Sequence, residues 1–223
     1  MTKILALETA TDACSAALQV DGEITHRFTL APRQHTNLIL PMVAELLAEA
    51  DLTIQQLDAI AYGAGPGSFT GVRVATSVTQ GLALAHDLPV IGLSCLKILA
   101  IGAARAHGFG RIAPIMDARK SEVYCALYDV DRTTSHAVEV CADSLCSPKD
   151  LRLSLSADDV VVGTGSAEYR REILASGIPM QALREAPLYP SAIDALSAAQ
   201  RALEAGGTVA AEFALPIYLR QAL

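Results

Sequence analysis

An order of apolar segments that runs through the chain twice narrows the possible folds more than any other feature. Residues 3–8 form an apolar run of strand length. Cys14, Ala16, Leu18 and Val20 then alternate with small or polar neighbours, as a strand with one buried face does. Asp21-Gly22 is a hairpin turn signal, beyond which Ile24, His26, Phe28 and Leu30 share one face of a third strand. The first set is completed by a helix over about 36–50, a strand over 57–62, a long helix to about 86, a strand over 89–93, and a helix capped by Ser94 to about 107. Gly108 and Gly110 end that helix and divide the chain into lobes 1–107 and 108–223. Residues 112–117, 123–130 and about 137–141 are then strands, Ser147-Pro148 opens a short helix, and Val160 to Val162 is a buried strand. Helices over about 167–175 and 191–205 follow, the last one free to pack back on the first lobe. Two successive sets of this kind predict an α/β protein of two duplicated lobes, each a mixed sheet with helices.

A chain of 223 residues can bury a sizeable core without disulfides or metals. Hydrophobic residues are 52% of it but aromatics only 4%, so Ala, Leu, Val and Ile fill the interior. Lys and Arg number 17 against 24 Asp and Glu, and no basic run stands out, which argues against a stand-alone RNA-binding protein. The five cysteines are scattered without a CxxC pair and are expected as buried apolar thiols. The N-terminal apolar run is too short for a secretory signal, and the longest stretch, 82–101, is broken by His86, Asp87, Pro89 and Lys97. A soluble, cytoplasmic protein without a membrane span is expected.

The segment Gly63-Ala64-Gly65-Pro66-Gly67-Ser68-Phe69-Thr70-Gly71 lies between a strand and a helix. Amides at a helix start suit an anion, whereas glycines there also permit close backbone packing; the second reading carries more weight. No Lys follows Gly71, and the spacing is not GxGxxG, so neither nucleotide fingerprint is present. Ser68 stands one place early for a nucleophile elbow, and Ser68 or Thr70 is better read as a helix cap. The histidines at 26, 35, 86, 107 and 136 never fall four apart, so no HxxxH or HExxH metal motif exists. His26 is read as a core residue. Glu8, Asp12 and Asp117 follow first strands, where carboxylates of paired-lobe phosphoryl-transfer folds hold hydrated Mg²⁺ or orient water. Turn carboxylates in solvent are the competing reading. Arg119 and Lys120 are placed to bind an anion or to pair with Glu122.

The helix over 36–50 tolerates Pro41 only near its first turn. Ile39, Met42, Val43, Leu46 and Ala50 make one stripe, while Leu38, Leu40 and Leu47 lie largely outside it. Such an over-wide apolar surface calls for a second burial partner.

The block from Ala61 through Arg73, continuing to Gln80-Gly81-Leu82-Ala83, resembles the TsaB (YeaZ) family. Further matches are Arg33-Gln34-His35-Thr36, Met116-Asp117-Ala118-Arg119 with Glu122-Val123-Tyr124, Gly163-Thr164-Gly165 and Pro216-Ile217-Tyr218-Leu219-Arg220. The resemblance implies an actin/Hsp70/sugar-kinase-like fold. It also implies a non-catalytic subunit required with TsaD, and joined by the ATPase TsaE, for threonylcarbamoylation of adenosine 37 in tRNAs reading ANN codons. TsaD carries metal-binding histidines just after its fifth strand; the comparable segment here, from Gly92 to Lys97, has none. By the same resemblance the first-lobe helices meet TsaD, or another copy in a homodimer, which predicts His35, Leu38, Met42, Leu46, Arg73, Ser77 and Gln80 in or beside the interface. Small residues Gly71, Ala75, Gly81 and Ala83 would permit close helix approach. The Gly-rich loop (Gly63, Gly65, Pro66, Gly67, Ser68, Gly71) is expected to be structural, and tRNA is reached only through the complex. No metal or tightly bound cofactor is expected. ATP or ADP bound weakly near Glu8, Asp12, Asp117, Gly163 and Gly165 remains the alternative, an ATPase-like enzyme; a metallopeptidase finds no support in these residues. Glu8 stands where the fold usually has Asp, one methylene longer, and should misplace a metal-linked water.

Overall fold

The computed structural model describes residues 2–108, 110–131, 133–186 and 189–220. In the first lobe, β1 (Lys3–Glu8), β2 (Ala13–Val20) and β3 (Glu23–Leu30) are antiparallel. α1 (His35–Glu49), β4 (Ala59–Gly65), α2 (Phe69–Leu84), β5 (Val90–Ser94) and α3 (Cys95–His107) follow, with β4 parallel to β1 and β5. The second lobe contains β6 (Gly110–Asp117), β7 (Val123–Val130), β8 (Ala137–Cys146), β9 (Val160–Val162), α4 (Thr164–Glu168), α5 (Arg170–Ala175) and α6 (Ala192–Glu204). The sheets run β3-β2-β1-β4-β5 and β8-β7-β6-β9, the same winding twice. This is the duplicated α/β architecture the sequence predicts. Among the described residues the second sheet has no regular fifth strand. Leu183 takes that place as a single parallel bridge to Val161, and Arg184 N–H donates to the Val161 carbonyl.

Both sheets are covered on both faces, which is why their central strands read as unbroken apolar runs. Leu5 and Leu7 of β1 face α1 and α2, whereas Ile4 and Ala6 face the layer between the sheets. That layer holds α3 and α6. α6 packs on β1, β2, β4 and β5, α3 packs on β6 and β7, and the two helices touch each other. A single apolar cluster therefore runs from Ile4 and Ala61 through Leu96, Leu99 and Leu196 to Ile112, Tyr128 and Val162.

Several local expectations are corrected. β2 buries both faces, because α6 lies over its Ser15 and Ala17 side and Ser15 Oγ accepts from Ala192 N at 3.0 Å. α6 meets edge strand β3 only marginally, and His26 is exposed beside Ile24, Phe28 and Leu30 instead of lying in a core. α1 begins at His35, which puts Pro41 inside the helix, past its first turn. β8 is longer than expected because it pairs along the whole of β7, around two register irregularities, while its edge position leaves polar residues on it exposed. The helix expected over 167–175 starts earlier and is broken at Tyr169 into α4 and α5. Cys14, Cys95 and Cys125 are buried, but Cys146 is half-buried and Cys141 exposed, both on that edge strand. No helix among the described residues is long and apolar enough to cross a membrane.

After α6 the chain returns over the first lobe as a strap. Val209 bridges Val90, a turn at Ala211–Phe213 lies on α2, and Ile217 N–H donates to the Ala64 carbonyl at 2.6 Å. Arg220 then reaches the second lobe, bonding the Ala118 carbonyl at 3.0 Å and Glu122 at 2.7 Å.

Candidate functional site

The Gly-rich loop packs against other parts of the chain. A Cβ on Gly63 would lie 1.9 Å from Glu8 Oε2, on Gly67 2.5 Å from the Ala10 carbonyl, and on Gly71 2.0 Å from the Thr9 carbonyl. Gly65, at φ +114°, passes the Ile217 carbonyl equally closely. Ser68 is the cap of α2: its Oγ accepts from Gly71 N, and its own N–H donates to Ala10 O at 2.6 Å. The peptide between Gly65 and Pro66 is cis. Here glycine serves close approach of the α2 start to the β1–β2 turn.

Glu8 is fully buried and does not line the cleft between the lobes. Its Oε1 accepts from Ala10 N at 2.6 Å, and the Cys95 thiol donates to Oε2 at 3.2 Å. Burial pushes its pKa up to about 7, outweighing the hydrogen bonds that favour the anion. Burial and the neighbouring Glu8 carboxyl raise the Cys95 thiol well above its ordinary range, and Cys14 goes to about 11 for the same two reasons. Glu8, expected to face a ligand, is instead an interior group joining β1, β4 and α3.

The interlobe cleft has a volume of about 880 Å³. Asp12 and Asp117 both line it. Asp117 is already engaged: Oδ1 accepts from Arg119 N at 2.8 Å and from Tyr169 OH at 3.2 Å, and Oδ2 lies 3.1 Å from Arg119 Nη1. Arg119, Lys120 and Ser121 all have φ between 56° and 62°, an unusual non-glycine run that folds the β6–β7 turn back so that Arg119 meets Asp117. Glu122 pairs with Arg220 and not with Lys120. Gly163 and Gly165 sit behind the cleft, where a Cβ would meet the Ile115 carbonyl at 2.3 Å and the Met116 carbonyl carbon at 2.9 Å. They let α4 approach β6. Among the described residues, no three His, Cys, Asp or Glu side chains gather where a metal ion could be held.

The helix residues expected at a partner surface divide. Leu46 is 0% exposed and Met42 9%, both in the core beneath α1; Leu47 is buried as well. His35 is buried, its Nε2–H donating to the Ala13 carbonyl at 3.2 Å. Sheet contacts of α1 thus absorb most of its wide apolar surface, leaving Leu40 exposed and Leu38 half-buried. On α2, Ser77 is exposed. Arg73 lies 3.5 Å above the Phe69 ring and donates from Nε to Tyr218 OH at 2.8 Å, while Gln80 Nε2 donates to the Ala214 carbonyl at 2.9 Å. The sequence reading missed the exposed strap residues Phe213 and Leu215 and the exposed α2 residues Phe69 and Leu84. Alternation at 213, 215 and 217 was the available signal.

Two wound sheets, interior helices and a sealed Gly-rich loop define a duplicated, two-lobed α/β protein. The family model of TsaD, described as tRNA N6-adenosine threonylcarbamoyltransferase, matches residues 28–216. The tRNA threonylcarbamoyladenosine biosynthesis protein TsaB of Escherichia coli is 42% identical, over 98% of this chain and 94% of that protein. The protein of the same name from Haemophilus influenzae is 39% identical over 97% and 93%. YeaZ from Pseudomonas aeruginosa superposes with a TM-score of 0.89 at 40% identity, covering 98% of this chain and all of that one. A second crystal structure, described as an uncharacterized protein with similarity to peptidase YEAZ from Pseudomonas aeruginosa, gives 0.91 over 99% at the same identity. The chain belongs to this threonylcarbamoyladenosine biosynthesis family, in its TsaB branch.

Proposed function

We propose that this chain is a non-catalytic subunit required, with a TsaD-type transferase and the ATPase TsaE, for threonylcarbamoylation of adenosine 37 in tRNA. The burial of Glu8 carries the reading. The carboxylate at the end of the first strand is closed in by Gly63, Cys95 and Ala10 N, so it cannot touch a substrate in the cleft. The cleft carboxylate Asp117 is bound to Arg119 and Tyr169, and the space beside the loop glycines is filled by the Glu8 side chain at Gly63 and by backbone at Gly65, Gly67 and Gly71. On this reading the isolated chain binds ATP or ADP weakly at most, and tRNA reaches it only within the complex. The partner surface is the outer side of α1 and α2 carried by Leu38, Leu40, Arg73 and Ser77; Met42, Leu46 and His35 support it from beneath. The same side pairs two copies when the transferase is absent.

Reconstitution tests this. With TsaD, TsaE, tRNA and threonylcarbamoyl-adenylate present, modified adenosine should form only when this chain is added. Undiminished product without it overturns the proposal. Calorimetry showing tight ATP binding and steady hydrolysis by the chain alone would favour the ATPase alternative.

A further inference from the structure

We infer that the C-terminal strap, residues 209–218, is the second half of the surface that seats the TsaD-type subunit, an inference that rests on the function proposed above. The strap turns its backbone inward and its apolar side chains outward. Val209 exchanges two hydrogen bonds with Val90, at 2.9 and 3.0 Å. The carbonyl of Ala214 accepts from Gln80, that of Leu215 accepts from Tyr62 OH at 3.3 Å, and Ile217 N–H donates to Ala64. Ala211 and Ala214 are buried beneath it. The side chains most open to solvent are Phe213, Leu215 and Tyr218, joined by Phe69 and Leu84 near the two ends of the adjoining α2; these five are 49–68% exposed, and at one end of the patch Phe69, Arg73 and Tyr218 also form an edge of the interlobe cleft.

Burying an apolar side chain stabilises a folded chain, but these five gain little from the monomer that holds them so firmly. At the 150–250 Å² that an aromatic side chain carries, the group exposes on the order of 600 Å². That is at the upper limit for the largest apolar patch of an ordinary monomer. It also approaches the roughly 800 Å² per partner of a stable complex. The aromatic members are held in place beforehand: Arg73 stacks on Phe69 and bonds the Tyr218 hydroxyl, so little side-chain freedom remains to be lost on docking. Arg73 and Glu212 are the charged residues within the patch, and aromatic residues are prominent; aromatic side chains and Arg are the residues enriched at interface centres. The occupant follows from continuity. Phe69, Arg73 and Leu84 belong to the same α2 whose outer face meets the transferase, so one subunit laid on α2 covers the strap as well.

The experiment compares binding of the full-length chain to purified TsaD-type subunit for the wild type, Phe213→Ser/Leu215→Ser and Ser77→Arg. The strap pair is exposed, so its thermal midpoint should stay near wild type. Its affinity should fall about 30-fold, the loss expected on removing interface anchors. Leu215→Cys in a Cys141→Ser/Cys146→Ser background supplies an independent readout: a maleimide should label position 215 in the free protein, as located by peptide mass, and the transferase should shield it about tenfold or more. Wild-type affinity and unshielded Cys, with Ser77→Arg disrupting binding, would overturn the strap inference and leave the proposed function standing. Strap substitutions that abolish self-association but spare transferase binding would assign the patch to a second copy, again overturning it. No binding by the wild type would remove the functional proposal itself.

Discussion

Glu8 shows how one side chain can look reactive in sequence and be structural in the fold. Its folded pKa, raised to about 7 from 4.5, means that the native state holds a proton that the unfolded chain releases across that interval. Stability from the neutral carboxyl is therefore full below about pH 4.5 and is lost as pH rises through 7. A shift of this size corresponds to about 3 kcal/mol. Half-buried Asp143 and buried Asp194 are also raised by desolvation and act in the same direction. Glu8→Gln should flatten the decline between pH 5 and 8 by about that amount, read from urea unfolding at several pH values. A variant retaining the full wild-type slope would assign the pH dependence elsewhere. The sequence showed Glu8 at a strand end, one methylene longer than usual; it could not show that Gly63 and Cys95, brought up by β4 and α3, leave room for the carboxyl to turn inward. Asp117 was legible as a cleft residue, but the left-handed run that presents Arg119 to it contains no glycine and gave no signal.

At the scale of elements, α2 contains two glycines with opposite requirements. Gly71 is in contact with the Thr9 backbone, and Thr9 Oγ1 donates to its carbonyl at 2.7 Å. Gly71→Ala must push the helix start off the β1–β2 turn and should destabilise by about 3 kcal/mol, the upper end for overpacking. Gly81, in the last turns of the same helix, has open space around it, with nothing within 4 Å of where a Cβ would stand. Gly81→Ala should stabilise by up to about 1 kcal/mol, raising the thermal midpoint by about 2–4 °C. If α2 packs closely on the transferase, the added methyl should weaken association at the same time. A scanning-calorimetry trace for each variant checks the first two effects, and a rise in midpoint for Gly71→Ala would refute the packing account. Apolar periodicity revealed the strands and long helices, because local pattern is enough for them. It overstated the free surface of α1, since how much of a helix a sheet covers depends on elements that meet only in three dimensions. Leu46 and Leu47 look like different faces in projection, yet both are buried.

At the scale of the molecule, the boundary read at Gly108 divides the chain but does not divide its core. The inner face of the first sheet, with Ile4, Ala6, Ala17, Ala61 and Ile91, lies against a layer that includes α6, which enters the sequence more than 80 residues after the last strand of that sheet. The strap then adds Val209 to the β5 edge and ties Arg220 to Glu122 across the lobes, while Ser94, the cap of α3, donates to Asp143 of β8 at 2.6 Å. Such connections make the two lobes one cooperative unit. Residues 1–107 expressed alone should therefore expose the sheet face that α6 covers. They should give no sharp unfolding transition and should bind an apolar dye, as expanded states do. The full chain should lose far-UV circular dichroism and tyrosine near-UV signal in a single coincident urea transition. Two separated transitions, or a cooperatively folded 1–107 fragment, would mean that each sheet is stable without the shared helical layer. Hydrophobic burial on both sides of that layer argues for the single transition, because removing either sheet returns Leu96, Leu99 and Leu196 to water.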